Sequence, residues 1–249
     1  MRRRGFTLIE LLVVVSIIAL LIAILLPSLS KARQTAKSVV CASQLRGLGF
    51  AWLSYMQESN YRAYKYPGSS NEAFDHFWMA IIERYTTNVD GLRVCPEARE
   101  MSAETWGWGA ATISWSGEHH PAGFWIHNAE GDYHFGSYAI NGWMYDGWVK
   151  GESYRSFLEP GVPTYNAPMF IDSAWVDVWP RDTDLPAVDR IDPYHGGNWS
   201  TGMPRVTIDR HDFGVNVVFH DGSTRYVKLP ELWSLNWSLK FETGPSPAF

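Results

Sequence analysis

Cysteine is scarce in this chain: only Cys41 and Cys95 occur. They form no C-x-x-C pair, which argues against a cysteine-based zinc site. Nothing in the sequence marks a partner histidine for either thiol, so neither is expected to act as a catalytic nucleophile. Also missing are H-E-x-x-H, the P-loop pattern, G-x-S-x-G and the dinucleotide-binding glycine fingerprint, so no enzyme class declares itself. Positive charge is in short supply, with 21 Lys and Arg against 26 Asp and Glu and a net charge of -5. Phosphate affinity comes from clustered Lys and Arg, so nucleic acid is excluded as an expected partner.

What the chain does have is one long apolar run. Between Phe6 and Leu26 only Thr7, Glu10 and Ser16 are polar. At ~1.5 Å per residue this stretch makes a helix of roughly 31 Å, long enough to cross a bilayer core. The run is therefore a membrane helix or a secretion signal. An ordinary signal peptide shares the basic start, Arg2-Arg3-Arg4, but the sequence around Leu25-Leu26-Pro27-Ser28 lacks a small-x-small cleavage site. Glu10 is also out of place, since a carboxylate within a span costs ~2.5–3.5 kcal/mol on insertion scales and calls for a partner or a function.

Gly5-Phe6-Thr7-Leu8-Ile9-Glu10 after a short basic leader resembles the class III signal of type IV prepilins and type II secretion pseudopilins. The resemblance implies cleavage by a prepilin peptidase between Gly5 and Phe6, N-methylation of Phe6, and a role for Glu10, the fifth mature residue, in subunit assembly. It also places Pro27 where the family often has a helix-kinking proline. The implied partners are the peptidase, other pilin or pseudopilin subunits, an inner-membrane assembly platform and membrane lipid. The physics agrees: a neighbouring subunit's cationic Phe6 amine would neutralise Glu10 in a packed filament.

Beyond Pro27 the helical pattern continues. Cys41, Leu45, Leu48, Trp52 and Tyr55 fall on one face, which predicts a helix from Phe6 to about Glu58, bent near Pro27. Gly47 and Gly49 weaken it and allow another element to approach closely. The stretch from Cys41 to Ala51 resembles the helix of the prepilin-type H-X9-DG group, with Ser43 and Gly47 departing from its usual residues. A linker over 61–70 precedes a short second helix from Phe74 to Tyr85, and Val94-Cys95-Pro96 resembles a Cys-Pro segment of the same group. In an oxidising periplasm Cys41 and Cys95 form either one disulfide, which would tie this region to the long helix, or two buried thiols.

The stretch 101–136 is rich in Trp, Phe, Tyr and Gly. It reads as large side chains filling a small core rather than as a sugar-binding platform. Ser137-Tyr138-Ala139-Ile140-Asn141 resembles the group's S-Y-x-x-N segment and predicts a strand entering a turn at Asn141-Gly142. Met169–Asp172 reads as a buried strand. Asp172, Asp177, Asp182, Asp184, Asp189 and Asp192 lie among prolines; calcium is a candidate ligand, but solvated turn carboxylates are the simpler reading. Alternation from Val215 to Phe219, then Asp221-Gly222, then Thr224 to Lys228 predicts a hairpin. His211 followed by nine residues and Asp221-Gly222 matches the H-X9-DG motif. Because successive strand residues face opposite sides, His211, Asp212, His220 and Asp221 are not expected to converge as a catalytic or metal cluster; His211 is expected to fix the hairpin by hydrogen bonding.

These readings predict an α+β, pilin-like fold: a long N-terminal helix, its first half transmembrane, packed on a mainly antiparallel sheet with long loops. The expected segments are leader 1–5, transmembrane helix 6–26, exposed amphipathic helix 27–60 and globular domain 61–249. The expected function is structural, a subunit of a type II secretion-like pseudopilus or type IV pilus-like filament, with no catalytic residues, no metal and no required cofactor. The alternative is a minor or tip subunit whose aromatic loops bind a polysaccharide or an exported protein. The anticipated location is the inner membrane, single-pass, N-terminus cytoplasmic and domain periplasmic or at the cell surface.

Overall fold

A computed structural model describes residues 7–60, 78–98, 109–112, 114–116, 135–145, 164–194 and 200–247. Helix α1, Leu8–Glu58, opens with Thr7 as its cap and remains helical across Pro27. Its 51 residues extend over about 76 Å at ~1.5 Å per residue. Pro27 removes one intrahelical donor, and the flanking turns keep the helix continuous. Two burial regimes divide α1. Leu8 through Leu29 leave every large apolar side chain exposed, whereas Cys41, Leu45, Leu48, Trp52 and Met56 are fully buried. The predicted stripe is the packed one, with Tyr55 half-buried at its edge.

Against that stripe lies a five-stranded sheet of order β5-β3-β4-β6-β7. Its strands are β3 (Tyr138–Asn141), β4 (Pro168–Asp172), β5 (Asp177–Val178), β6 (Gly214–Phe219) and β7 (Thr224–Lys228). A separate two-stranded ribbon joins β1 (Trp115–Ser116) to β2 (Phe135–Gly136). Pairing is antiparallel throughout the large sheet except for β3 with β5, which run parallel. Pro168 is accommodated at the start of β4, beside a register irregularity. Every residue of β6, the strand between β4 and β7, is buried. The outer strand β7 exposes most of its residues.

Aromatic rings join the layers. Trp52 meets Phe170 of β4 edge-on at 5.9 Å, and Trp78 of helix α2 (Trp78–Ile82) meets the same ring at 5.0 Å. Indole N–H groups are spent on backbone: Trp78 donates to the Val176 carbonyl, Trp143 to Pro180 and Trp237 to Leu232. Trp115 is fully buried too, which agrees with a packing role for its stretch; Trp106, Trp108, Phe124, Trp125 and Tyr133 lie outside the described residues.

Two local expectations change. The second helix is shorter than predicted where it is described: α2 passes at Glu83 into a 3-10 turn ending at Tyr85, and 74–77 lie outside the described residues, as does the linker 61–70. The other change concerns His211 and is described with the site. The turn expected at Asn141-Gly142 is a 3-10 turn, Gly142–Met144, capped by the Asn141 side chain. The Asn141 amide also donates to the carbonyls of Pro168 and Trp237, so the residue locks β3 to β4 and to the C-terminal tail.

Candidate functional site

Two features stand apart from ordinary packing. The first is the start of α1. Thr7 and Glu10 form a capping box: the Thr7 amide donates to Glu10 Oε2 at 2.8 Å, and the Glu10 amide donates to Thr7 Oγ1 at 3.3 Å. Glu10 thus has a partner within its own chain, which the sequence reading missed although Thr7-x-x-Glu10 before an apolar run is the capping-box spacing. The following 18-residue window is apolar and long enough to cross a membrane, and none of it is buried against the domain. Gly5 and Phe6 lie outside the described residues.

The second feature is a buried polar cluster. Helix α1 brings Cys41, the segment after α3 (Val89–Leu92) brings Cys95, the last residue of β4 is Asp172, and the loop before β6 brings His211. All four are buried, and their sulfur, oxygen and nitrogen atoms lie within 4.8 Å of one another. The Cys41 thiol donates to Asp172 Oδ1 at 3.3 Å. His211 Nε2 stands 3.2 Å from Cys41 Sγ, 3.4 Å from Cys95 Sγ and 3.2 Å from Asp172 Oδ2. His211 Nδ1 is buried and has no hydrogen-bond partner among the described residues. The two cysteines are free thiols in this structure.

A shell of protein groups fixes these four. Arg210 is buried and divides its guanidinium among the carbonyls of Ala110, Ala111, Ser137 and Ser173 and the Asp172 carboxylate, 3.2 Å away. Asn216 donates its backbone N–H to Asp172 Oδ2 at 2.8 Å, and its side chain reaches back to Ser38 on α1. The Tyr138 hydroxyl lies within donating distance of Cys41 Sγ, 3.1 Å, and of Gln44, 2.7 Å. Ser137 Oγ accepts from the Cys95 amide at 2.6 Å. The S-Y pair of the S-Y-x-x-N segment therefore serves the cluster, while its Asn141 serves the sheet.

The electrostatics follow from this geometry. Burial alone would raise the Asp172 pKa, but His211 and Arg210 outweigh it and hold the carboxyl below its usual value. Burial likewise disfavours a charged His211, and the adjoining Asp172 overrides it, lifting the imidazole to about 10. Burial and the bond to Cys95 push the Cys41 thiol well up. Cys95 is also opposed by burial, yet its bonds to Cys41 and His211 bring it down to about 6.

The position of His211 corrects the sequence reading in two respects. Its ring does not brace the hairpin; only its backbone N–H does, donating to Gly214 at 3.1 Å. It is also the histidine partner that the cysteines were expected to lack. Asp221 and Gly222 stay at the far turn, where Asp221 accepts from the Ser223 amide and Gly222 takes φ 79°. His211 and Asp221 do not converge, as expected. Among the other acids of that stretch, Asp177 is buried on β5 and pairs with Arg205 at 2.7 Å, unlike the expected solvated turn residue, whereas Asp184, Asp189 and Asp192 accept from backbone amides of their own turns.

Residues 1–26 match the family described as the prokaryotic N-terminal methylation motif. No curated protein and no solved structure matches the chain. The motif implies processing by prepilin peptidase and assembly with other pilin subunits. Together with the α+β domain it supports a type IV pilin-like or pseudopilin protein, a structural subunit, and among the described residues one helix is long and apolar enough to cross a membrane.

Proposed function

We propose that this chain is a subunit of a type II secretion-like pseudopilus or type IV pilus-like filament, cut after Gly5 and N-methylated at Phe6. The observation that carries this reading is the first half of α1, apolar on every face and packed on nothing in its own domain. Such a surface is stable in lipid before assembly and against copies of itself afterwards. The leader stays cytoplasmic and the domain lies in the periplasm or at the cell surface. An inner-membrane assembly platform moves the subunit from one setting to the other.

Glu10 supplies the test. Near the cytoplasmic end of the span it is solvated by interfacial water and headgroups. Inside a helix bundle it needs a counter-charge, and the Phe6 amine of an adjacent subunit is the nearest one. Pairing then sets axial register, much as a buried polar residue does in a coiled coil. Glu10 also caps α1, and the two roles separate by substitution. Glutamine keeps the capping box but loses the charge. Glu10→Gln and Glu10→Ala are therefore expected to insert and be cleaved normally yet lose most filament yield, with Glu10→Asp intermediate. Filament yield in an overexpressing secretion system, scored beside processing on a gel, is the readout. Full assembly by Glu10→Gln would reduce Glu10 to a helix cap.

A further inference from the structure

We propose that Cys41, Cys95, Asp172 and His211 bind one Zn2+ ion inside the domain, linking the long helix to the sheet. The inference is independent of the filament reading. Tetrahedral Zn–S bonds of ~2.3 Å and Zn–N or Zn–O bonds of ~2.0–2.2 Å set ligand-to-ligand edges of roughly 3.3–3.8 Å. With Asp172 Oδ2 as the carboxylate ligand, the edges seen here are 3.2 and 3.4 Å from His211 Nε2 to the two sulfurs, 3.2 Å from the same nitrogen to Asp172 Oδ2, and 3.6 Å from Cys41 Sγ to that oxygen. These four edges lie within a few tenths of an ångström of the tetrahedral values, and all four donor atoms fall within 4.8 Å of one another.

The donor chemistry narrows the choice of metal. Two thiolates, one imidazole and one carboxylate suit zinc, whereas calcium and magnesium take six or more oxygens or near-octahedral oxygen shells. Charge closes as well. Two thiolates and a carboxylate carry three negative charges, and Zn2+ with the Arg210 guanidinium carries three positive ones, so the filled site is neutral in a region that excludes water. Two of the four ligands have supporting bonds of the kind found around metal sites: Arg210 and the Asn216 amide orient the carboxylate, and the Tyr138 hydroxyl lies within donating distance of Cys41 Sγ, whereas His211 Nδ1 has no partner among the described residues. A disulfide would consume the two sulfurs but assign nothing to the carboxylate and imidazole that touch them.

The test uses the full-length chain without a polyhistidine tag, purified in detergent, reduced, and offered Zn2+ or Co2+. One equivalent of zinc per chain is expected by elemental mass spectrometry. The cobalt form should show the intense visible bands of tetrahedral geometry and thiolate-to-cobalt charge transfer. Cys95→Ser, nearly isosteric, is expected to lose stoichiometric zinc while its far-ultraviolet circular dichroism remains that of the folded chain. Tyr138→Phe, which removes only the hydroxyl, should weaken zinc by ~10-fold in competition with a chromophoric chelator. A reduced, folded wild-type chain that takes up no metal overturns the proposal, whether its thiols then stay free or oxidise to a disulfide. Metal uptake without thiolate charge transfer, or undiminished in Cys95→Ser, overturns it equally, because the ion then sits elsewhere.

Discussion

His220 closes β6 with its ring buried, and burial alone depresses its pKa to about 3, the nearby Asp221 offsetting only part of this. The folded state therefore keeps His220 neutral at pH values where the unfolded chain, with an ordinary imidazole pKa of ~6.5, binds a proton. A depressed basic group stabilises the fold above the unfolded pKa and loses that contribution as pH falls. From about pH 6.5 downward this single residue removes up to about 1.4 kcal/mol per pH unit. Because the raised His211 acts in the opposite sense in both proteins, the comparison of wild type with His220→Gln isolates His220. In urea unfolding at pH 7.5 and 5.5, the change in stability toward acid should be less favourable in the wild type than in His220→Gln by about 1.4 kcal/mol. An unchanged difference in the variant would assign the pH dependence to other groups. His211, only nine residues earlier, is displaced in the opposite direction because it faces Asp172. Sequence could not separate the two histidines, since burial and a carboxylate neighbour are properties of the fold.

At the scale of elements, α1 was the most legible part of the chain. Its periodicity from Cys41 to Trp52 identified the buried face, and its two glycines were read as points of close approach. The structure divides those glycines. A Cβ at Gly49 would lie 2.8 Å from Val218, a stiff β-branched neighbour on β6, and 3.1 Å from the terminal methyl of Met169 on β4. A Cβ at Gly47 would meet Leu92, at 3.1 Å, whose half-buried side chain can turn away. Alanine gains up to ~1 kcal/mol of helix propensity over glycine at either site. Overpacking at position 49 costs about 1–3 kcal/mol. Gly47→Ala is expected to be neutral or stabilising and Gly49→Ala destabilising, read as opposite shifts of the urea midpoint; parallel shifts would contradict this packing. The β6–β7 hairpin was equally legible, because Asp221-Gly222 fixes a turn locally. The parallel pairing of β5 with β3 was not, since two residues, Asp177 and Val178, carry no periodic signal.

For the whole molecule, legibility follows sequence distance. The apolar run and the hairpin are written in adjacent residues and were read. The four cluster residues are spread from Cys41 to Asp172 and His211, and no spacing rule joins them. The absence of C-x-x-C gave no hint of them, because side chains drawn from four parts of the chain need no local motif to meet. Among the described residues, the molecule thus combines a helix whose first half is exposed with a domain anchored to the second half at Cys41, Leu45, Leu48 and Trp52. In the proposed function the exposed half is delivered to lipid and then to other subunits, after removal of the basic leader. Mass spectrometry of the mature N-terminus, on protein taken from membranes of cells that contain a prepilin peptidase, tests this most directly. The account predicts a chain beginning at Phe6 and carrying one N-methyl group. A chain still beginning at Met1, or one cut beyond Leu26 with the apolar run removed, would contradict it.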